Sequence, residues 1–188
     1  RASKILTDAA AVGADSLVHI VSDDSGMDSS NVQNLLASAI RKTGAEVVLC
    51  GKQAADTNSG STGPGVASIL GFTCVGMVSE VSMEGDGFVA MRTSPSGNEK
   101  VSVSKPCLFA FDKAATEMRR PNVRGIMMAK KKAVESLTPA DLGVTMEGSR
   151  VSLESHSAPA EKPPGQKFEG AASVPTVVSK LRDEANVI

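Results

Sequence analysis

AEVVLCGKQAADTNSGSTGPGVASILG, residues 45–71, reads as a short buried strand, a polar glycine-bearing loop and a helix. Val47, Val48, Leu49 and Cys50 form an apolar run with β-branched members, the pattern of a strand covered on both faces. Gly51 breaks the run, and Asp56, Thr57, Asn58, Ser59 and Gly60 are turn formers. Ser61 or Thr62 can cap the helix that follows, which tolerates Pro64 in its first turn. Val66, Ile69 and Leu70 give that helix a buried face. A strand leading through small residues to a helix start presents free backbone N–H groups and the positive end of the helix dipole, which suits a phosphate. Gly51, Gly60 and Gly63 permit close backbone approach, while Asp56, Thr57, Asn58, Ser61 and Thr62 offer polar groups for a ribose or a base. An ordinary strand-to-helix connection has the same spacing, and the two readings stand side by side. Gly51-Lys52-Gln53 is not the G-x-x-x-x-G-K-S/T loop of nucleoside triphosphatases, so phosphoryl transfer is not indicated.

Composition narrows the classes. The chain has 188 residues, 41% hydrophobic and 22% charged, which gives one domain or a little more with a sizeable core. A net charge of −1 and 3% aromatics, without Trp or Tyr, provide neither the basic excess nor the stacking platform that nucleic acid requires. Cys50, Cys74 and Cys107 are odd in number, widely spaced and set in apolar runs, as expected of buried thiols in a reducing compartment. His19 and His156 are isolated; His19 falls in a strand pattern and reads as a packed or edge residue. No apolar run approaches the roughly 20 residues that span a bilayer, so no direct membrane insertion is expected. The chain starts at Arg1 inside a helical pattern, without an initiator Met, so further residues are expected to precede it, any targeting peptide among them.

Working outward from the central stretch, Ile5, Ala9, Ala10 and Val12 predict a short amphipathic helix closed by Gly13, and Ser16 to Val21 a strand. Asp23, Asp24, Ser25, Gly26 and Asp28 look superficially like a calcium loop but lack its closing Glu, and read as a solvated turn. Ser29 or Ser30 caps a helix with Val32, Leu35, Leu36, Ala39 and Ile40 at helical spacing, ended by Thr43 and Gly44. This alternation predicts an α/β fold, a parallel sheet with helices on both faces. Beyond Gly71, Cys74 to Met83, Phe88 to Thr93 and Val101 to Ser104 alternate as strands separated by EGDG and SPSGN turns. They form an antiparallel meander, read as an excursion from the parallel sheet. Cys107 to Phe111 (CLFAF) returns to it as a central strand.

After Asp112 little regular structure is evident. Arg119, Arg120, Arg124, Lys130, Lys131 and Lys132 make a local basic patch, interleaved with Met118, Val123, Ile126, Met127 and Met128. A solvated, lysine-capped helix end has this composition. Flexible apolar side chains ringed by positive charge equally suit transient docking to acidic partners. Ser152 to Gly170 is rich in Pro, Ser and Ala, an extended linker. Ser173 can cap a last helix with Val177, Val178, Leu181 and Ala185 on one side. The expected division is an α/β nucleotide-binding domain over residues 1–150 and an arm with a helix over 151–188.

LCGKQAADTNSGSTGPGVASILG (49–71) resembles the nucleotide-binding loop of the electron transfer flavoprotein β subunit, a family whose members carry G-K-Q-A-x-D…G-x-x-G here. DKAATEMRRPNVRGIMMAKKKAVESLTPADLGV (112–144) is similar to that family's partner-recognition loop, lysine cluster and following segment. With AVGADSLVHIVSDD (11–24) and the V-x-K-L-R-x-E ending, the resemblance covers essentially the whole chain. It implies a Rossmann-like fold of the adenine-nucleotide-binding type, with an antiparallel meander and a C-terminal arm packed on the partner subunit. It also implies a heterodimer whose α subunit mainly holds FAD. That carrier moves electrons from acyl-CoA and related dehydrogenases to a quinone oxidoreductase, as in fatty acid oxidation. The compartment implied is the mitochondrial matrix in a eukaryote and the cytoplasm in a bacterium.

By the same resemblance, structural AMP falls to Gly51, Lys52, Gln53, Ala54, Asp56, Thr57, Asn58, Gly60, Ser61 and Thr62, with the rest of its pocket expected before Arg1. The recognition loop spans Asp112 to Lys132 and includes Glu117, Arg119, Val123, Gly125, Ile126, Met127, Lys130 and Lys131. The family has an anchor leucine followed by Pro where this chain has Val123 and Arg124, and Met128 stands where many relatives begin the lysine cluster. Valine buries less than leucine, by about 0.8 kcal/mol per CH₂. No nucleophile–base pair, close carboxylate pair or metal cluster is evident, so a non-catalytic carrier subunit is expected. Two other readings use the same loop: a free-standing adenine-nucleotide sensor without flavin, and a hydrolase or ligase of adenylated substrates. The first has no use for the basic, methionine-bearing loop, and the second lacks a triphosphate motif.

Overall fold

The computed structural model describes residues 2–22, 26–112, 117–162 and 164–188. The turn expected at Asp23 to Ser25, the head of the recognition loop from Lys113 to Thr116, and Pro163 of the linker lie outside these residues. In chain order the elements are α1 (Ala2–Ala11), β1 (Val18–Ile20), α2 (Ser29–Thr43), β2 (Val47–Gly51), α3 (Thr62–Leu70) and β3 (Thr73–Glu84). They continue with β4 (Gly87–Ser94), β5 (Gly97–Val103), β6 (Cys107–Phe111), α4 (Val123–Ala129), β7 (Glu135–Leu137) and α5 (Val174–Asp183). The chain divides into two compact units, residues 1–152 and 153–188.

The larger unit is mixed α/β. Its five-stranded sheet has the order β2-β6-β3-β4-β5, and β1 pairs with β7 in a separate two-stranded parallel sheet. β6 runs parallel to both β2 and β3, while β3, β4 and β5 are joined antiparallel. The meander is therefore continuous with the parallel strands instead of an excursion from them. β3 serves both: Thr73 to Val75 lie beside β6, and Glu80 to Glu84 beside β4. Between them the register against β6 shifts from Val75 to Val78, and Met77 adopts φ +59°. A bulge of this kind bends and twists the strand, which lets one strand join two arrangements.

Alternation along β6 divides the core. Cys107 and Phe109 pack with Val75, Val78, Ala90 and Val103. Leu108 and Ala110 pack with Ala37 of α2 and with Val66 and Ala67 of α3. Phe109 is fully buried, and Phe88 meets it edge-on with ring centroids 5.8 Å apart. Among the described residues, both helices of this sheet lie on the Leu108 face, so the expected cover on both faces is not found. Within this sheet α3 is the crossover, joining β2 to β3, while α2 enters β2 from β1 of the other sheet and packs beside α3. The return from β3 to β6 is made by two hairpins and a short link over residues 104–106, which bring no helix for the opposite face.

Local signals place α2. Asp28, one residue before the expected serines, is its N-cap: Oδ1 accepts the Asn31 amide at 3.1 Å. Its Oδ2 accepts the Arg150 amide at 2.8 Å, and Asn31 Nδ2 donates to the Glu147 carbonyl at 3.1 Å. Gly44 closes the helix at φ +68°. Of the three thiols expected to be buried, Cys107 is buried, Cys50 half-buried and Cys74 exposed. An apolar run reports strand character without saying which end of the strand is covered. In the smaller unit, α5 follows a 3₁₀ turn at Ala171–Ser173; its Val177 and Leu181, with Ala185 just past its end, line a hollow with Phe168. Ser173 holds the N-cap position without capping; its hydroxyl donates to the Glu169 carbonyl at 2.7 Å.

The backbone amides of Arg150 and Asn31 hold the Asp28 carboxyl below the usual carboxylate range. A depressed carboxylate contributes stability that is present above its unfolded pKa and lost as pH falls through the folded one. In an NMR pH titration, the Asn31 and Arg150 amide shifts are expected to move together, with one midpoint below that of a free aspartate. Asp28→Ala should speed hydrogen exchange at both amides; Asp28→Asn, which keeps an acceptor, should do so less.

Candidate functional site

β2 ends where Gly51 pairs with Phe111 of β6. The loop therefore leaves at the C-terminal end of parallel strands, where open α/β sheets present their ligand crevices. The Lys52 amide donates to the Phe111 carbonyl at 2.7 Å, and its ammonium pairs with the Asp112 carboxylate at 2.7 Å. Beyond it the loop is held by its own bonds. The Asn58 amide donates to the Ala54 carbonyl at 3.0 Å, and Gln53 Nε2 to Asn58 Oδ1 at 2.9 Å. Asp56 Oδ1 accepts the Thr57 amide at 2.8 Å. Asn58 and Gly60 take φ +50° and +61°, the left-handed region that asparagine and glycine tolerate best.

At the end of this loop Ser61 occupies the N-cap position of α3 but makes no side-chain cap. Its carbonyl instead accepts the Gly65 amide at 2.9 Å and Gln33 Nε2 at 3.0 Å. The first amides of α3 are thus left to an acceptor from outside, and Pro64 has none to satisfy. Gly63 seats this helix end on the sheet: a Cβ there would lie 2.8 Å from Cys50 Sγ. The structure brings Gly51 to Thr62 together at one end of the sheet, mostly exposed, with Gly60 and Ser61 half-buried. Lys52 is already balanced by Asp112, so an anion here relies on backbone amides and the helix dipole.

Burial pushes the Cys50, Cys74 and Cys107 thiols up, and Cys74 adds to the rise at Cys50. A raised thiol stays protonated at neutral pH and is a poor nucleophile. Among the described residues, no group of three His, Cys, Asp or Glu is placed to hold a metal, and no helix is long and apolar enough to cross a membrane.

The recognition segment contains a helix that the sequence reading missed. Asn122 Oδ1 accepts the Gly125 amide at 2.7 Å and starts α4. Its one signal was an asparagine at the N-cap, obscured by Gly125 and the dense charge. Only Ala129 of α4 is buried, whereas Val123, Met127 and Met128 are 76%, 62% and 60% exposed. Glu117, Arg120, Arg124, Ile126, Lys130 and Lys131 are exposed around them. Two cations bond within the chain: the exposed Arg119 donates from Nη1 to the Val12 carbonyl at 3.2 Å, and the half-buried Lys132 from Nζ to the Ala14 carbonyl.

Comparison with known proteins gives a consistent result. Residues 1–142 match the electron transfer flavoprotein domain. The chain is 30% identical over 193 residues to the electron transfer flavoprotein subunit beta of Bacillus subtilis, covering all of this chain and 75% of that one. Against the subunit beta of Bradyrhizobium diazoefficiens the identity is 29% over 188 residues, covering all of this chain and 74% of the relative. Against that of Homo sapiens it is 31% over 178 residues, covering 93% and 68%.

The contact at Gly63 is testable. Gly63→Ala should lower stability by about 1–3 kcal/mol through overpacking against Cys50. In a Cys50→Ala background the same change should be neutral or gain up to about 1 kcal/mol, as alanine favours the helix. Urea denaturation of the four proteins of this cycle measures the coupling.

Proposed function

The chain belongs to the electron transfer flavoprotein β-subunit family, and from that premise we propose that it is the binding subunit of an αβ electron carrier. In this reading the α subunit holds FAD, and the flavin supplies the redox chemistry. Electrons arrive from acyl-CoA and related dehydrogenases and leave to a quinone oxidoreductase. The compartment is the mitochondrial matrix in a eukaryote and the cytoplasm in a bacterium. This chain contributes binding surfaces. Residues 51–62 hold a structural AMP, α4 docks the dehydrogenase, and residues 151–188 pack on the α subunit.

The observation that carries the reading is α4. A seven-residue helix that leaves Val123, Met127 and Met128 exposed, with Arg124, Lys130 and Lys131 beside them, has the composition of a transient docking surface. AMP fits the donor set of the loop. The uncapped first turn of α3 supplies amides for the phosphate, and Asp56, Thr57 and Asn58 supply polar groups for the ribose and base.

Val123→Asp should lower kcat/KM with the dehydrogenase about tenfold or more, the loss of roughly 1.4 kcal/mol of docking, without releasing FAD. Unchanged turnover would remove Val123 from the interface. Thr62→Glu places a carboxylate where the phosphate is assigned, yet suits a helix N-terminus, so the fold should survive. Native mass spectrometry of the heterodimer, followed by denaturing release of small molecules, should find AMP in the parent and little in this variant. Equal AMP in both would place the nucleotide elsewhere.

A further inference from the structure

α4 has little of its own to keep it in place. Seven residues are too few for a helix to persist alone in water, and only Ala129 is buried. Its neighbour α1 buries no residue at all. Between the two helices lies a hollow of about 330 Å³, lined in part by Thr7, Ala11, Ile126 and Ala129, so side-chain packing does not fill their interface.

Three contacts close it. At Gly125 the backbones meet: a Cβ there would come within 2.5 Å of the Ala11 carbonyl oxygen, which belongs to a main chain that cannot swing aside. On the N-terminal side of α4, Arg119 donates to the Val12 carbonyl, and on its C-terminal side Lys132 donates to the Ala14 carbonyl. Ala11 is the last residue of α1, and Val12 and Ala14 lie in the turn that leaves its C-terminal end, the negative end of the helix dipole. The two cations flank α4 in sequence and both land on that end.

We propose that Arg119, Lys132 and Gly125 are positioning residues, a clamp that fixes α4 on the C-terminal end of α1 and so orients the side chains it presents. This rests on the reading of α4 as the docking element. The clamp divides the basic cluster by role. Arg119 and Lys132 each donate a bond within the chain, and Arg120, Arg124, Lys130 and Lys131 are the exposed cations left to make contacts with a partner.

The test uses the intact heterodimer and an acyl-CoA dehydrogenase from the same source. Arg119→Met, Lys132→Met and Gly125→Ala should each speed amide exchange over residues 126–132 about tenfold. Each should raise KM for the dehydrogenase severalfold and leave kcat at saturation unchanged, as expected when binding and not chemistry is lost. Arg119→Lys, which keeps a donor, should recover much of both effects. Arg124→Met should leave exchange as it was while flattening the dependence of KM on salt. Unchanged exchange in all three clamp variants would overturn the clamp, whatever docking does. Faster exchange with an unmoved KM would uphold the clamp and refute α4 as the docking element.

Discussion

Strand β6 is paired along both edges and packed on both faces, and its neighbours follow from that four-sided burial. Because β2 and β3 both run parallel to it, the chain cannot pass between them by a hairpin and needs a crossover, which is α3. α3 must lie over Leu108 and Ala110, and the approach is close because it brings Gly63 and Ala67 to that surface. The opposite face holds Phe109, whose burial is worth roughly 2–3 kcal/mol, with Phe88 set edge-on against it. Seating α3 this way also fixes where its first turn points. The uncapped amides end up beside the terminus of β2, so the candidate nucleotide loop is a consequence of how β6 is buried.

Much of this was legible because the relevant signals are local and strong. CLFAF, VVLC and the paired EGDG and SPSGN turns give their strands directly, and Gly44 and Gly71 close their helices in the left-handed region. The failures concern relations between elements. Which face a helix covers depends on crossover geometry, and no periodicity encodes that. Asp28 displaced the expected serine cap because it also binds the distant Arg150 amide. α4 was invisible because Gly125 costs helix propensity, by about 1 kcal/mol relative to alanine, and because charge spacing does not show which arginine bonds to a neighbouring backbone. Arg119 and Arg124 look alike in sequence and both are exposed; the first bonds to the Val12 carbonyl and the second does not.

The two candidate segments leave from adjacent strand ends. Gly51 and Phe111 are register partners, and Lys52 and Asp112, the next residue of each chain segment, form an ion pair. At partial exposure such a pair is worth about 0–1 kcal/mol, so its effect is less to stabilise than to neutralise. With Lys52 balanced, a phosphate at this loop meets amide dipoles and no free ammonium. Helix-terminus contributions of about 0.3–1 kcal/mol are individually small. Tight retention of a nucleotide therefore requires the loop to be held in shape beforehand. Its internal bonds, from Gln53 to Asn58, from Asn58 to Ala54 and from Thr57 to Asp56, supply that order.

In the proposed reading, in which α4 is the docking helix, the opposite logic holds. A carrier that meets one partner and then another gains nothing from an interface that holds. Full burial of Val123, Met127 and Met128 would return about 1.5–3 kcal/mol each. Loss of translational and rotational freedom, estimated at 4 to more than 15 kcal/mol, consumes much of that sum. What remains is modest affinity, and valine in place of a longer side chain trims it further. Speed of encounter is then supplied by charge, since Arg120, Arg124, Lys130 and Lys131 lie exposed around the apolar residues. A weak apolar anchor ringed by steering cations gives fast arrival and fast release, provided the helix that carries it does not wander. In the proposed reading, that proviso accounts for a helix with one buried residue being flanked by two cations bonded to the Val12 and Ala14 carbonyls, just past the end of α1.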